Sequence, residues 1–252
     1  MIPISVAIIT KNEEHNIEEA LKSIENTAEI IIVDAFSTDR TLDICRAYTQ
    51  NIYQVEWQGY ARQKQIAIEY ATGPWVFVLD ADERFIDSLK VEIAQVVNNS
   101  RTYCGYYVPR KNFFLGKWIQ HGGWWPDYTL RLFLKDKACV EARRVHERIE
   151  VKGKVGYLKN PLEHYTYRTI ADYIKKVDLY STLSAEELSE KGKYPGITTL
   201  VTHPFFTFFK MFFLRFGFMD GVHGLLLAVL NSYYTFLKYV KLWEASIKNV
   251  KR

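Results

Sequence analysis

The stretch Val76–Arg84, "VFVLDADER", decides the reading of the fold. Four apolar residues in a row read as a strand buried on both faces, which is the pattern of a parallel sheet covered by helices. The run then meets three carboxylates, Asp80, Asp82 and Glu83, which a buried strand is not expected to bury. The strand must therefore end at a rim where acidic groups have something to hold. Outward from it, Ile4–Thr10, Glu29–Ala35, Ile52–Trp57 and Trp75–Asp80 read as strands. Between them Asn16–Ile24, Thr41–Tyr48 and Ala61–Ala71 carry helical spacing, and Ser88–Val97 follows as a fourth helix. This β-α-β rhythm predicts an α/β fold with a mainly parallel mixed sheet. Ligands of such sheets bind outside the carboxyl ends of the strands. The loops "TKNEE", "DAFSTD" and "DADE" then share one rim.

From Arg101 to about Thr166 the pattern turns strand-like and irregular, as expected of antiparallel strands that complete the sheet. Ile170–Lys191 reads as a helix that stops before the Gly and Pro of "GKYPG". Two apolar helical stretches follow, "HPFFTFFKMFFLRFGF" and "GVHGLLLAVLNSYYTFLKYVKLWE". The expected division is a catalytic domain over 1–168 and a helical extension over 169–252. The 252-residue chain carries a formal net charge of +4, 48% hydrophobic residues and 15% aromatics. From Val201 onward seven Lys/Arg face two acids, so the basic charge concentrates in the aromatic tail. That mixture suits an anionic membrane surface and disfavours nucleic acid, whose binding patches rarely carry so much Phe and Leu. The longest uncharged stretch, Gly221–Leu237, has 17 residues. A spanning helix wants roughly 20, so an in-plane amphipathic hairpin is expected, against the alternative that the helices pack as core. Three cysteines without C-x-x-C spacing suggest neither a disulfide framework nor a zinc site and fit a reducing compartment. The N-terminus reads as a first strand with no basic n-region or cleavage site, which places the protein in the cytoplasm.

Asp80 and Asp82, two apart in extended chain, point to one side and suit Mg²⁺ or Mn²⁺. A solvated acidic turn is the alternative. Asp34, ending "IIIVDA", and Glu13 face the same rim. Thr38 or Asp39 reads as a helix cap, and Glu14 as charge complementing a helix N-terminus. There is no G-x-G-x-x-G after the first strand and no G-x-x-x-x-G-K-[ST], which disfavours dinucleotide and P-loop binding. Arg62 and Lys64 add positive charge to the cleft or lie on a solvated helix face; both readings stand. Asp127, in "WWPDYTLR", is the candidate general base, with Trp124 and Trp125 offering flat faces for a sugar. Asp127 is otherwise a turn residue paired with Arg131. Glu147 or His146 is the competing base. His146 also serves as a possible third metal ligand, and Arg131 as a contact for a diphosphate or acceptor phosphate. His121, His164 and His203 carry no assignment.

Taken in order, "SVAIITKNEE", "EIIIVDAFSTDRT" and "ARQKQIAIEYATGPWVFVLDADE" resemble the family 2 inverting glycosyltransferases, whose nucleotide-sugar-binding fold is called GT-A. Further on, "GGWWPDYTLRLFLKD", "VHE" and the aromatic tail look like the bacterial branch that adds sugars to the lipopolysaccharide inner core. The resemblance covers nearly the whole chain, with one departure. The usual Ala-Arg-Asn-x-Gly here reads Ala61-Arg62-Gln63-Lys64-Gln65. It implies a hexose, glucose foremost, moved from a UDP-sugar to a lipid-linked saccharide at the inner face of the cytoplasmic membrane. It further implies that Thr10, Glu13, Asp34, Asp39, Asp80 and Ala81 line the nucleotide, with Asp34 near the base, Asp80 by the ribose and Asp82 on the metal. Arg62, Lys64, Trp125 and Arg131 complete the expected substrate-binding set. A nucleotidyltransferase would open on a Gly-rich basic loop that "TKNEEHN" is not. A phosphatase with D-x-D-x-[TV] has no match at Arg84. A non-catalytic sugar- or nucleotide-binding module is the remaining alternative.

Overall fold

The computed structural model describes residues 1–99, 102–141 and 148–250. Two compact units emerge, one formed by 1–111 and 127–164, the other by 112–126 and everything from 165 onward. The first unit opens with β1 (Ile2–Thr10), α1 (Ile17–Ile24), β2 (Thr27–Asp34), α2 (Thr41–Arg46), β3 (Ile52–Gln54), α3 (Tyr60–Tyr70) and β4 (Trp75–Asp80). It continues through β5 (Glu83–Phe85), α4 (Asp87–Asn99) and β6 (Gly105–Phe114). The end of β6, 112–114, and the hairpin strand β7 (Lys117–Trp118) that pairs with it belong to the second unit, and β8 (Asp127–Leu134) returns to the first. Then come β9 (Ala138–Glu141), β10 (Arg148–Val151), β11 (Val155–Tyr157) and β12 (Leu162–Tyr167).

The sheet runs β3-β2-β1-β4-β8-β6-β12-β5, with β7 and β11 also on β6, while β9 and β10 form a separate antiparallel pair. Strands β3, β2, β1 and β4 are parallel neighbours; β8 joins β4 antiparallel, and β6 joins β8 antiparallel. Alternation along these strands divides the core in two. Val6, Ile8, Phe77 and Leu79 meet α1 and α4 on one face, through Leu21 and Ile93 among others. Ala7, Ile31, Val76 and Val78 meet Ile66 and Ala67 of α3 on the other. Both faces are apolar because helices cover both, which is why β1 and β4 lack a polar alternation. The mixed α/β sheet followed by a C-terminal helical region is the expected fold class.

Register places the rim. Thr10 pairs with Asp34, and Ile9 pairs with Asp80, so the carboxyl ends of β2, β1 and β4 finish at one level.

The second unit contains α5 (Ile170–Glu190), α6 (Ile197–Phe209), a π-helical continuation over Lys210–Leu214, a 3₁₀ turn over Gly217–Asp220 and α7 (Val222–Val250). Thr169 caps α5 by accepting the Asp172 amide. Its core gathers Phe114, Ile119, Tyr173, Val177 and Leu227. Asp220, 3% exposed, accepts the Gln120 and His121 amides at 3.3 and 2.8 Å. Asp220→Ala should therefore cost about 2–3 kcal/mol in urea denaturation, since two amides lose an ionised acceptor, and Asp220→Asn should cost less. Among the described residues, the window long and apolar enough to cross a membrane is the 18-residue Ile197–Leu214 rather than Gly221–Leu237. In α6 only Pro204 is buried.

Candidate active site

The rim is built by two loops that hold each other. Asn12 sits in the left-handed region at φ 55°, which turns its side chain toward the Asp34–Asp39 loop. Its amide donates to Ser37 Oγ at 2.8 Å, and its Oδ1 accepts the Thr38 amide at 2.8 Å. Glu13 donates its amide to Thr41 Oγ1, and its carboxylate accepts Asn16 Nδ2 at 2.7 Å. Asp39 accepts the Thr41 amide and hydroxyl and the Glu14 amide, so it organises the start of α2 as a cap would. Asp34 is wholly buried, accepting the Ser37 amide at 2.8 Å and the Ser37 hydroxyl at 2.5 Å. Gln54 Nε2 approaches it at 3.5 Å. Thr10 is 5% exposed, and its carbonyl accepts the Ala35 amide.

The three carboxylates that end "VLDADE" part company. Glu83 is 0% exposed, contrary to the expectation that none of them is buried. It is tolerated because Arg131 Nη2 donates to Oε1 at 2.5 Å, the Asp80 amide donates to Oε2 at 3.0 Å, and Arg110 Nη1 lies 3.7 Å away. Asp80 takes Arg131 Nη2 at 2.5 Å and Lys64 Nζ at 3.0 Å. Partial burial pushes the Asp80 carboxyl up, but Arg131 and Lys64 outweigh this and hold it well below the usual carboxylate range. Asp80 is thus an anion already matched by two cations.

Arg131, 3% exposed, is the internal counter-ion of two carboxylates; the alternative that paired it with Asp127 is not the arrangement found, and its guanidinium is not presented as an open phosphate contact. Asp127 is held instead by Arg110, through Nε at 3.0 Å and Nη2 at 2.6 Å, across the register pair Arg110↔Asp127 of β6 and β8. Lys64 is buried at 6%, whereas Arg62 is exposed and lies 3.4 Å from Glu69. The two alternatives for this pair resolve residue by residue: Lys64 enters the rim, and Arg62 lies on the solvated helix face.

Asp82 is half-buried, with His164 Nε2 3.5 Å from its Oδ2. The register pair His164↔Glu83 between β12 and β5 brings them together. The Asp82 carboxylate at the rim fits Mg²⁺ or Mn²⁺, and the His164 imidazole as a second protein ligand favours Mn²⁺ over the oxygen-seeking Mg²⁺, with the remaining positions left to phosphate oxygens and water. Among the described residues no three His, Cys, Asp or Glu form a metal cluster, so protein ligands alone do not complete a shell. Ala81 is 5% exposed, and its carbonyl accepts Arg84 Nη1 at 3.0 Å. Arg84 also donates to the Glu83 and Asn16 carbonyls, tying this loop to the entry of α1. His146 and Glu147 lie outside the described residues. Trp125, in the second unit, is half-buried with its ring edge-to-face with Trp118 at 5.5 Å.

Sequence reasoning missed Glu83 as a buried group, Arg110 as the Asp127 partner, Arg84 as a loop tie and His164 as the imidazole at Asp82.

The sequence profile of Glycosyl transferase family 2 matches residues 5–166. Over 255 residues the chain is 31% identical to the lipopolysaccharide core biosynthesis glycosyltransferase LpsC of Rhizobium meliloti, covering 96% of this chain and 93% of that one. It is 30% identical over 271 residues to an uncharacterized glycosyltransferase of Rickettsia typhi, covering 99% and 89%. Among solved structures, a fragment of S. aureus TarS in complex with UDP-GlcNAc aligns over 98% of this chain and 92% of its own, at 15% identity and a TM-score of 0.48.

Proposed function

The chain belongs to glycosyl transferase family 2, and from that premise we propose that it is an inverting hexosyltransferase. Its donor is a UDP-sugar, UDP-glucose foremost, and its acceptor is a lipid-linked saccharide of the lipopolysaccharide-core kind. The observation that carries this reading is the half-buried Asp82 with His164 beside it, at the end of β4 where the rim carboxylates gather. The end-to-end similarity to LpsC supports the acceptor class. The protein works in the cytoplasm, peripheral on the inner face of the cytoplasmic membrane, with its C-terminal basic aromatic helices toward the lipid.

In this reading Asp82 and His164 hold a divalent cation. When bound, that cation neutralises charge building on the departing nucleoside diphosphate, where stabilisation lowers the barrier most. Thr10, Glu13, Asp34 and Asp39 shape the nucleoside side of the rim. Asp34 acts near the base through the Ser37 loop it holds. Asp80 lies by the ribose, its charge fixed by Lys64 and Arg131, and Ala81 lends backbone to the same wall. Asp127 removes the acceptor hydroxyl proton as that oxygen attacks the anomeric carbon, with Arg110 fixing the carboxylate's orientation. Glu147 is the competing base. Trp125 offers a ring face to a sugar.

The test is calorimetric titration of UDP with Mn²⁺ and with EDTA. Wild type should bind far more tightly with the metal, and Asp82→Asn should lose that increment and retain only the metal-independent affinity. Equal affinities with and without metal in wild type would remove the cation from the mechanism. Absence of binding by UDP, GDP, CDP and dTDP alike would remove the nucleotide-sugar donor.

A further inference from the structure

The surface of the second unit changes character at the turn between α6 and α7. Phe213, Leu214, Phe216, Phe218 and Met219 are all exposed, from 48% to 62%, within seven consecutive positions. An aromatic side chain ordinarily buries most of its area, so this clustering marks a surface made to be covered. The turn is also built and braced. Phe216 reverses the chain at φ 57°, and the Arg215 carbonyl accepts the Gly122 amide at 2.8 Å. The Asp220 carbonyl accepts Lys117 Nζ at 2.7 Å, while its carboxylate takes the two amides described above. Gly123, at φ 88°, takes a left-handed backbone conformation that favours glycine, and the Arg215 side chain lies against it.

Charge selects the occupant. Between Phe205 and Val229 the charged residues are Lys210, Arg215 and Asp220. Asp220 is buried and bonded internally, whereas Lys210 and Arg215 are exposed. An aromatic apex whose outward charges are all cationic matches an anionic phospholipid leaflet, with rings at the acyl boundary and cations at the phosphates. Spanning is disfavoured, because the brace would carry polar Lys117, Gln120 and His121 into the hydrocarbon.

We propose that the Phe213–Met219 turn is the element that inserts into the membrane, with Lys210 and Arg215 binding lipid phosphates. This rests on the peripheral-membrane reading above and narrows it from the whole basic tail to one braced apex. The Gly122–Trp125 segment is fixed to the same turn, so insertion brings Trp125 to the leaflet surface.

The full chain is floated with vesicles of phosphatidylcholine alone or with phosphatidylglycerol. Wild type should bind the anionic vesicles and not the neutral ones. Phe213→Ser/Phe216→Ser/Phe218→Ser should reduce binding at least tenfold, Arg215→Gln severalfold, and Lys248→Gln/Lys251→Gln/Arg252→Gln by less than twofold. Wild-type flotation with undiminished binding of the aromatic variant would overturn the apex alone, and so would loss confined to the tail-end variant. Equal binding to neutral vesicles would overturn the assignment of the cations, and absence of wild-type binding to either vesicle would overturn the peripheral reading with it. Circular dichroism and UDP titration check that each variant is folded. Should the aromatic variant unfold, Phe216→Trp decides: lipids brominated on the acyl chain should quench its emission beyond that of wild type, and equal quenching overturns the proposal.

Discussion

Arg131→Met should lower the unfolding free energy by about 3 kcal/mol or more, because it removes the internal cation from two carboxylates and leaves them in place. Breaking one side of a buried ion pair costs about 3–5 kcal/mol, most of it the penalty of the stranded charge. Asp80 and Glu83 both take Arg131 Nη2 at 2.5 Å, and Glu83 is 0% exposed. Lys64 at 3.0 Å from Asp80 and Arg110 at 3.7 Å from Glu83 remain in the variant, which sets the expectation at the lower end. Urea denaturation by circular dichroism measures the loss. The companion variant Arg131→Met/Glu83→Gln separates the causes: with the deepest carboxylate neutralised, a sizeable part of the stability should return. Were Arg131→Met alone to cost under about 1 kcal/mol, the size of an exposed pair, the network would be solvated and the burial argument wrong. Arg131→Lys should fall between, since a single ammonium cannot reproduce the guanidinium fork.

That network also shows where sequence reading stops. The strands and the rim were legible because apolar runs buried on both faces end abruptly in Asp34 and Asp80, a local pattern. The separation of Arg62 from Lys64 was not read: the two shared one pair of alternatives, although residues two apart do not share a helix face. Glu83 was not legible. Its burial depends on Arg131 in β8 and Arg110 in β6, which sheet order brings to it from distant positions in the chain. His164 could be assigned only through the antiparallel register of β12 on β5, which no local periodicity announces. The second unit taking in 112–126 was hidden for the same reason. That excursion between β6 and β8 lies in the stretch read as strand-like and irregular, and its partner Asp220 lies about a hundred residues further along the chain.

Asp127→Asn should leave UDP affinity within twofold of wild type and lower the transfer rate about 10²–10⁴-fold, the usual worth of a positioned general base. The two readouts are predicted to separate because the change is chemical more than structural. Asparagine keeps an oxygen that can accept the Arg110 guanidinium, which in the wild type donates to Asp127 Oδ2 from Nε and Nη2. The amide turns to present that oxygen, so β8 stays paired with β6 at this register position. What disappears is the anion able to receive a proton from the acceptor hydroxyl. A transfer assay with a UDP-sugar and a lipid-linked acceptor gives the rate, and calorimetry with UDP gives the affinity. If transfer survives at near wild-type rate, the base is another group and Glu147→Gln is the next variant. If transfer and UDP affinity fall together, Asp127 holds the donor site in shape instead of acting on the acceptor. Arg110→Lys sharpens the distinction. It retains a cation but loses the two-point hold, so a base that must be oriented should lose rate with little change in UDP affinity, whereas a residue with no part in the reaction should show neither effect.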